Sequence, residues 1–269
     1  MNQEQSKSDI SVIAPANAPL FWQETFKIHS YEAEPSSFAT PQSICRFLQE
    51  VASNHSDKLG VSGETISSVG QMWVLSQLSL KMSEYPKWHD SLSIKTWPTK
   101  RTTALRAFRD FVLFDDTSRE TGKASSMWLL LDKESRRPQK IQTYLNQYTG
   151  DGHDPDMLHP IEKNLFDQQN SQISSRIFKV RASDIDYNFH VNNVCYLEWA
   201  LEAILPEVRL RNFMSEFDVH FIREAKIFTL VTSECRLIDQ NNNVFLHKIS
   251  DADENVLALM RTTWHEKRN

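Results

Sequence analysis

Ser183-Asp184-Ile185-Asp186-Tyr187-Asn188-Phe189-His190-Val191-Asn192-Asn193 places an acid, an amide and an imidazole at every second position: Asp186, Asn188 and His190. In an extended backbone, side chains at i, i+2 and i+4 share one face. The three groups would then look into one space, a mixture suited to activating water and binding an oxyanion. On a helix the middle residue would sit about 200° from the first, and the set would be split. Directly afterwards Val194, Leu197, Leu201 and Ile204 recur at helical spacing, so the triplet leads into a buried helix. The bland alternative is a polar turn before a core helix, with Asp and Asn serving as caps.

Around that segment, composition sets bounds. A chain of 269 residues holds one large domain or two ordinary ones, each with its own core. Hydrophobic residues make up 40%, with seven Trp and fifteen Phe as bulky filling, so a folded soluble protein is expected. A net charge of −5 argues against a dedicated nucleic-acid or membrane-surface binder. The six glycines form neither a GxGxxG nor a GxxxxGK pattern, so a classical nucleotide loop is missing. Cys45, Cys195 and Cys235 are odd in number and widely spaced, which suggests a reducing compartment and offers no zinc spacing. Residues 1–20 are polar, carry Pro15 and Pro19, and lack an apolar run of signal-peptide length; they read as a loose leader. No later run approaches the roughly 18 apolar residues that a membrane helix requires. The cytoplasm is the expected location.

The chain passes twice through one order: strand, loop, long helix, several strands. In the first half a strand over 26–32 precedes a Pro-Ser-Ser turn, and Thr40-Pro41 supplies an N-cap with Pro at the first helical position. Ile44, Phe47, Leu48, Val51 and Ala52 form an apolar stripe, and Gly60 closes the region. Strands are expected over 71–82, 91–98, 103–114 and 124–132. The second half repeats the order, with a strand over 175–181 and a helix over 191–205 that Pro206 stops. Its strands are expected over 215–222, 228–237, 243–250 and 256–265. One helix and a meander of long strands, repeated, is an α+β pattern with antiparallel sheets. The expected organisation is a leader over 1–20, halves over 21–141 and 175–269, and a polar linker over 142–174 carrying Gly152, Pro155 and Pro160. The halves should pack together, because open antiparallel sheets leave edges that need covering.

Stretches spread from Phe21 to Trp264 carry a family resemblance. In the first half they are 26–32, 47–55, Tyr85-Pro86-Lys87-Trp88-His89-Asp90, 94–97, Arg109-Asp110-Phe111 and 124–128; in the second, 183–202. The chain resembles the acyl-acyl carrier protein thioesterases of the plant and bacterial fatty-acyl type. The resemblance implies a tandem (double) hot-dog fold, two antiparallel sheets each wrapped around a long helix. It implies a catalytic set of Asp186, Asn188, His190 and Glu224, the last within Arg223-Glu224-Ala225. Where the family has a cysteine after that Glu, this chain has Ala225. A cysteine nucleophile is therefore unavailable at that point, which favours direct attack by water.

The activity implied is hydrolysis of fatty acyl-acyl carrier protein to free fatty acid, ending fatty acid synthesis. An acyl-CoA thioesterase and a non-catalytic acyl-binding protein on the same shell are the alternatives. The first half would set acyl-chain specificity through Met72, Trp73, Leu75, Leu78 and Met82, residues that serve equally as inter-sheet core. The implied partner is acyl carrier protein bearing a phosphopantetheine-linked chain. Docking so acidic a partner on an acidic enzyme requires a local basic patch. Lys95, Lys100, Arg101, Arg106 and Arg109 are candidates, as are Arg136, Arg137 and Lys140. No metal or other cofactor is called for, and a monomer and a homodimer are both compatible.

In the chemistry expected, a carboxylate, Glu224 or Asp186, orders a water and accepts its proton. Glu224 is favoured as base and Asp186 as orienter, and His190 orients the carboxylate network or relays the proton. Asn188 and an amide near the helix start stabilise the oxyanion. A calcium loop is disfavoured, because Val191 and Leu197 stand where Gly and Glu are needed. Cys195 would point about 140° from His190 on a helix, so it reads as core filler. Glu50, Asn54, His55 and Asp57 form a rival polar cluster, against the simpler reading of helix-end solvation. Trp73, Trp88, Trp97 and Trp128, on alternating strands, read as core packing rather than a ligand box.

Overall fold

The structure, a computed structural model, describes residues 18–141, 157–162, 164–167 and 173–267. The leader expected over 1–20 and the linker expected over 142–174 lie largely outside the described residues. The first half contains β1 (Trp22–Lys27), α1 (Pro41–Lys58), α2 (Gly63–Ser68), β2 (Gln71–Met82), β3 (Ser91–Pro98), β4 (Ala107–Phe114) and β5 (Glu120–Asp132). The second contains β6 (Ile173–Lys179), α3 (Asn193–Glu202), α4 (Pro206–Arg211), β7 (Asn212–Phe221), β8 (Leu230–Asp239), β9 (Val244–Asp251) and β10 (Val256–Glu266). One short 3₁₀ turn precedes each long helix, at Ser30–Glu32 and Ala182–Asp184.

Strand order is β1-β3-β4-β5-β2-β7-β10-β9-β8-β6, antiparallel throughout. Each half therefore repeats one five-strand order, and the halves join edge to edge where β2 pairs with β7 about Ser79 and Asp218. The two hot-dog sheets form one continuous ten-stranded sheet. Joining β2 to β7 removes two of the four edges that separate halves would expose.

α1 forms where its caps predict. The Thr40 hydroxyl accepts the Ser43 N–H at 3.1 Å, and Pro41 takes the first helical position. At the far end Gly60 has φ +70°, and the N–H groups of Gly60 and Val61 bond the carbonyls of Asp57 and Ser56, both at 2.9 Å. Ile44, Phe47, Leu48 and Val51 are buried in the main core with Leu78, Leu92, Ile94 and Phe217. Each such side chain contributes about 1.5–3 kcal/mol on burial.

α3 departs from expectation. It covers Asn193–Glu202 rather than 191–205: Val191 bridges Ile185, and the Asn192 side chain caps the helix by accepting the Val194 N–H at 2.9 Å. Pro206 opens α4 instead of stopping a helix, since a missing N–H costs nothing at a first helical position. Buried residues run all round α3, so apolar periodicity had no polar face with which to mark its length.

Several strand boundaries also move: β5 starts at Glu120, β6 covers Ile173–Lys179, β7 covers Asn212–Phe221 and β8 covers Leu230–Asp239. β1 ends at Lys27, and the chain turns where the Glu32 carboxylate accepts the His29 N–H at 2.8 Å. β4 starts at Ala107 because Thr103 N–H and Arg106 C=O close a turn at 2.8 Å.

On the sheet face opposite α1 and α3, Ile161 and Phe166 are buried against Leu246 and Leu259, and the Leu158 N–H donates to Ser79 Oγ at 2.9 Å. Among the described residues no helix is long and apolar enough to cross a membrane.

Candidate active site

The segment carrying Asp186, Asn188 and His190 is a tight turn, not the extended run expected. Asp186 N–H bonds the His190 carbonyl at 2.8 Å, and Phe189 N–H bonds the Asp186 carbonyl at 3.0 Å. Phe189 sits at φ +64°. The Asp186 carboxylate accepts the N–H of Asn188 at 2.9 Å and that of His190 at 3.3 Å. A short acidic side chain bonding amides two and four residues on bends the chain locally, which defeats the i, i+2, i+4 alternation. Asp186 thus shapes the turn. Asn188 looks across to the first half: a Cβ on Gly63, the first residue of α2, would lie 3.8 Å from Asn188 Oδ1 and 3.4 Å from Tyr187 Oη.

His190 instead meets Glu224, its Nδ1 hydrogen-bonded to Oε1. An ionised carboxylate only accepts, so Nδ1 carries the hydrogen and Nε2 of the neutral ring carries the lone pair. Both side chains reach solvent, at 30% and 42% exposure. Glu224 stands just beyond β7, between Arg223, which donates to Asn255 Oδ1 at 2.7 Å, and Ala225, whose N–H donates to Tyr196 Oη at 2.7 Å. Beside the turn opens a cleft of about 320 Å³ lined by Arg46, Arg181, Asp184, Asp186 and Glu198. Arg46 bonds Glu198 across it, and Arg181 bonds Asp184 at 2.7 Å.

The same turn occurs in the first half with different side chains. Glu34 N–H bonds the Phe38 carbonyl and Ser37 N–H the Glu34 carbonyl, both at 2.8 Å; Ser37 sits at φ +69°; and Ala33 bridges Ala39. Glu34, Ser36 and Phe38 therefore stand where Asp186, Asn188 and His190 stand. The turn after β2 likewise matches the one after β7. His89 N–H bonds the Ile28 carbonyl at 3.1 Å as Phe228 N–H bonds that of Val180 at 3.0 Å, and His89 and Phe228 both have positive φ. That register sets Tyr85 opposite Glu224. The backbone device is duplicated, and the imidazole–carboxylate pair belongs to the second copy.

The rival cluster on α1 does not assemble. His55 is fully buried, accepts from the Arg109 guanidinium at Nδ1 (2.9 Å) and bonds the Pro19 carbonyl through Nε2 (3.0 Å). Burial and the neighbouring Arg109 push its pKa down to about 4. Asn54 instead bonds Glu24 and Glu50, and Asp57 faces solvent near Lys58. Cys195 is buried with its thiol pushed up to about 12 by desolvation, a protonated and unreactive state. Arg109 leaves the proposed basic patch, because it is buried behind β4 with His55. Arg101 pairs with Asp110, and Lys95 lies over the Phe21 ring. Trp88 is on a loop, half exposed and stacked on His89, not on a strand as expected.

Of the five acyl-lining candidates, Leu78 reaches a small, mainly apolar cavity of about 10 Å³ between α1, α3 and the β2–β7–β10 sheet, with Gln49 and Asn193 at its wall. Leu75 and Met82 lie in the main core; Trp73 packs in a separate cluster and donates to the Val61 carbonyl; Met72 receives a hydrogen bond from Arg136. The cavity is completed by Cys45, Val194, Leu197, Phe217 and Met260. Most of these belong to the second half, and pairing across the β2–β7 seam brings them to Leu78, which no local sequence pattern reveals.

A double hot-dog sheet with a solvent-reached imidazole–carboxylate pair at the start of one helix has the architecture of a hot-dog thioester hydrolase. Family models match most of the chain: acyl-ACP thioesterase N-terminal domain over residues 19–148, and acyl-ACP thioesterase C-terminal domain over 167–266. The chain belongs to the acyl-acyl carrier protein thioesterase family, whose members are thioester hydrolases. An oleoyl-acyl carrier protein thioesterase of Arabidopsis thaliana is 28% identical, the match covering 90% of this chain and 72% of the relative. A palmitoyl-acyl carrier protein thioesterase of Cuphea hookeriana is 25% identical over 92% of this chain and 63% of its own length. Other plant relatives are likewise covered over less than two thirds of their length, 63% and 62% in two cases. Among solved structures, the 12:0-ACP thioesterase from Umbellularia californica superposes with a TM-score of 0.83 at 22% identity, over 93% of this chain and 95% of that one. An oleoyl thioesterase from Lactobacillus plantarum gives the same TM-score at 22% identity, over 94% and 99%. Both likenesses concern the fold.

Proposed function

We propose that this chain hydrolyses the thioester of fatty acyl-acyl carrier protein, releasing free fatty acid and the carrier's phosphopantetheine thiol and so terminating fatty acid synthesis. The observation that carries the reading is the His190–Glu224 pair, formed between two turns of the second half whose counterparts in the first half lack both side chains. In the proposed reaction Nε2 of His190 takes a proton from water as the oxygen adds to the thioester carbonyl, and Glu224 holds the imidazolium that forms. This assigns the proton to His190, with Glu224 as its orienting carboxylate, in place of Glu224 as immediate base. The resemblance offers Asn188 as the oxyanion donor, and its side chain, which faces Gly63 here, must turn towards His190 to act so. Collapse expels the thiolate, which recovers the proton from His190. Asp186 holds the turn that presents His190. The acyl chain enters at the small apolar cavity beside Leu78 and Phe217, which at about 10 Å³ must widen by side-chain movement to admit it. The second half then supplies chemistry and both halves supply the chain pocket. The carrier's arm enters by the cleft beside Arg46 and Arg181. The cytoplasm as location fits three buried free thiols, and the joined halves are consistent with action as a monomer or as a homodimer.

The test is to incubate purified protein with acyl-carrier-protein and acyl-CoA thioesters of several lengths and to measure released thiol and fatty acid. The expected result is preferential turnover of the carrier-protein thioesters. Turnover of CoA thioesters alone would make it an acyl-CoA thioesterase, and tight binding without release would make it an acyl-binding protein.

A further inference from the structure

Comparing the duplicated turns exposes a group outside the expected site. Tyr196 lies on α3, 3% exposed, its ring packed at 5.1 Å from Trp199 and edge-on at 5.5 Å from Phe221. Its hydroxyl oxygen accepts the Ala225 N–H at 2.7 Å, one residue after Glu224. Ala225 is itself buried, so this N–H has no access to water and depends on the phenol for its hydrogen bond. The first half provides the internal control. Thr40 and Asn192 cap corresponding helices, so Ile44 stands where Tyr196 stands; the turn register sets Pro86 where Ala225 stands. Ile44 has no hydroxyl and Pro86 no N–H. Both partners of the bond are absent in the half that also lacks the imidazole–carboxylate pair. There the main chain is tied differently, by the Phe38–Lys87 bridge and the Ala39 N–H to the Pro86 carbonyl at 2.8 Å. Among the described residues no corresponding bridge joins His190 to Lys226.

We infer that Tyr196 is a positioning residue: its hydroxyl fixes the main chain at Ala225 so that the Glu224 carboxylate meets His190. The inference rests on the proposed reading of the site. Burial pushes the phenol up to about 12, so it stays a neutral hydroxyl throughout the working pH range.

The experiment is Tyr196→Phe in the full chain, which keeps the ring and removes the hydroxyl, assayed on acyl carrier protein thioester beside His190→Ala. The expected result is a kcat lowered about tenfold, equivalent to about 1.4 kcal/mol, with KM unchanged and the acid limb of the pH–kcat profile displaced. Ala225→Pro, which copies the first half's Pro86, deletes the other partner and should show the same kcat loss and the same displaced limb. The double variant should be no slower than either single one, since both remove one bond. If Tyr196→Phe does not fold, Ala225→Pro alone carries the same expectation. Wild-type kcat and pH profile in the folded variants, with His190→Ala inactive, overturns the inference and leaves the site reading intact. Full activity in His190→Ala overturns the site reading itself.

Discussion

His190 and Glu224 lie 34 residues apart yet form one hydrogen-bonded pair; the motif named His190 as a candidate and the family resemblance named Glu224, but neither said that they meet. The bend at Asp186 was not legible, since a carboxylate bonding its own loop leaves no periodic trace. Tyr196 was hidden too, reading as one more apolar position of α3. His55 is the instructive opposite: a polar-cluster candidate that folding turned inward. Because Arg109 can only donate, His55 accepts at Nδ1 and donates from Nε2 to Pro19. Its folded pKa, about 4, lies below the ordinary histidine value of 6.5. The unfolded chain therefore takes up a proton first. The stabilisation is fully present above pH 6.5 and is lost as pH falls from there through about 4, by about 3 kcal/mol at most. Urea midpoints measured from pH 7 to 4.5 should fall in the wild type and fall less in His55→Gln, which can still accept and donate; equal slopes would refute the assignment. Ala225→Cys should change turnover by less than about tenfold. Ala225 is buried and its N–H is held by Tyr196, so its side chain has no part in the proposed attack by water. A thousandfold gain, or an acyl-cysteine trapped at native Cys195, would contradict attack by water.

At the scale of elements, α1 was readable from end to end, since Thr40, Pro41, the apolar stripe and Gly60 each state a local requirement. β2 and β3 were readable to the residue, for both are bounded by turns rich in Ser, Gly, Pro and Asp. α3 was overextended because its partners surround it and erase the polar face that would have marked its ends. β2 bulges between Leu75 and Gln77, and the strand's inward and outward positions change places there. Leu78 therefore faces the cavity while Met72 meets Arg136. Leu78→Ala and Phe217→Ala should each shift the preferred acyl length towards longer chains with cleavage retained, because each buried methylene is worth about 0.8 kcal/mol. Product profiles by gas chromatography check this, and identical profiles in both variants would place the acyl chain elsewhere.

At the scale of the molecule, the repeat of helix and meander was visible in the sequence, but the seam was not. Nothing in β2 or β7 alone says that they pair, since pairing depends on two edges meeting across a long connection. The joined sheet should make the halves one cooperative unit. The described parts share one main core running from α1 and β2 to α3, β7 and β10, so thermal unfolding should follow a single transition by fluorescence and circular dichroism. A first half expressed alone that melts cooperatively would contradict this. The central claim is that chemistry resides in one of two matching halves, at His190 and Glu224. Single-turnover hydrolysis of acyl carrier protein thioester tests it most directly, comparing Glu224→Gln and His190→Ala with Glu34→Gln and Glu50→Gln. The account predicts losses of about a hundredfold or more in the first pair and rates within a few-fold of wild type in the second; collapse of activity in Glu34→Gln or Glu50→Gln beside a near-normal Glu224→Gln would contradict it.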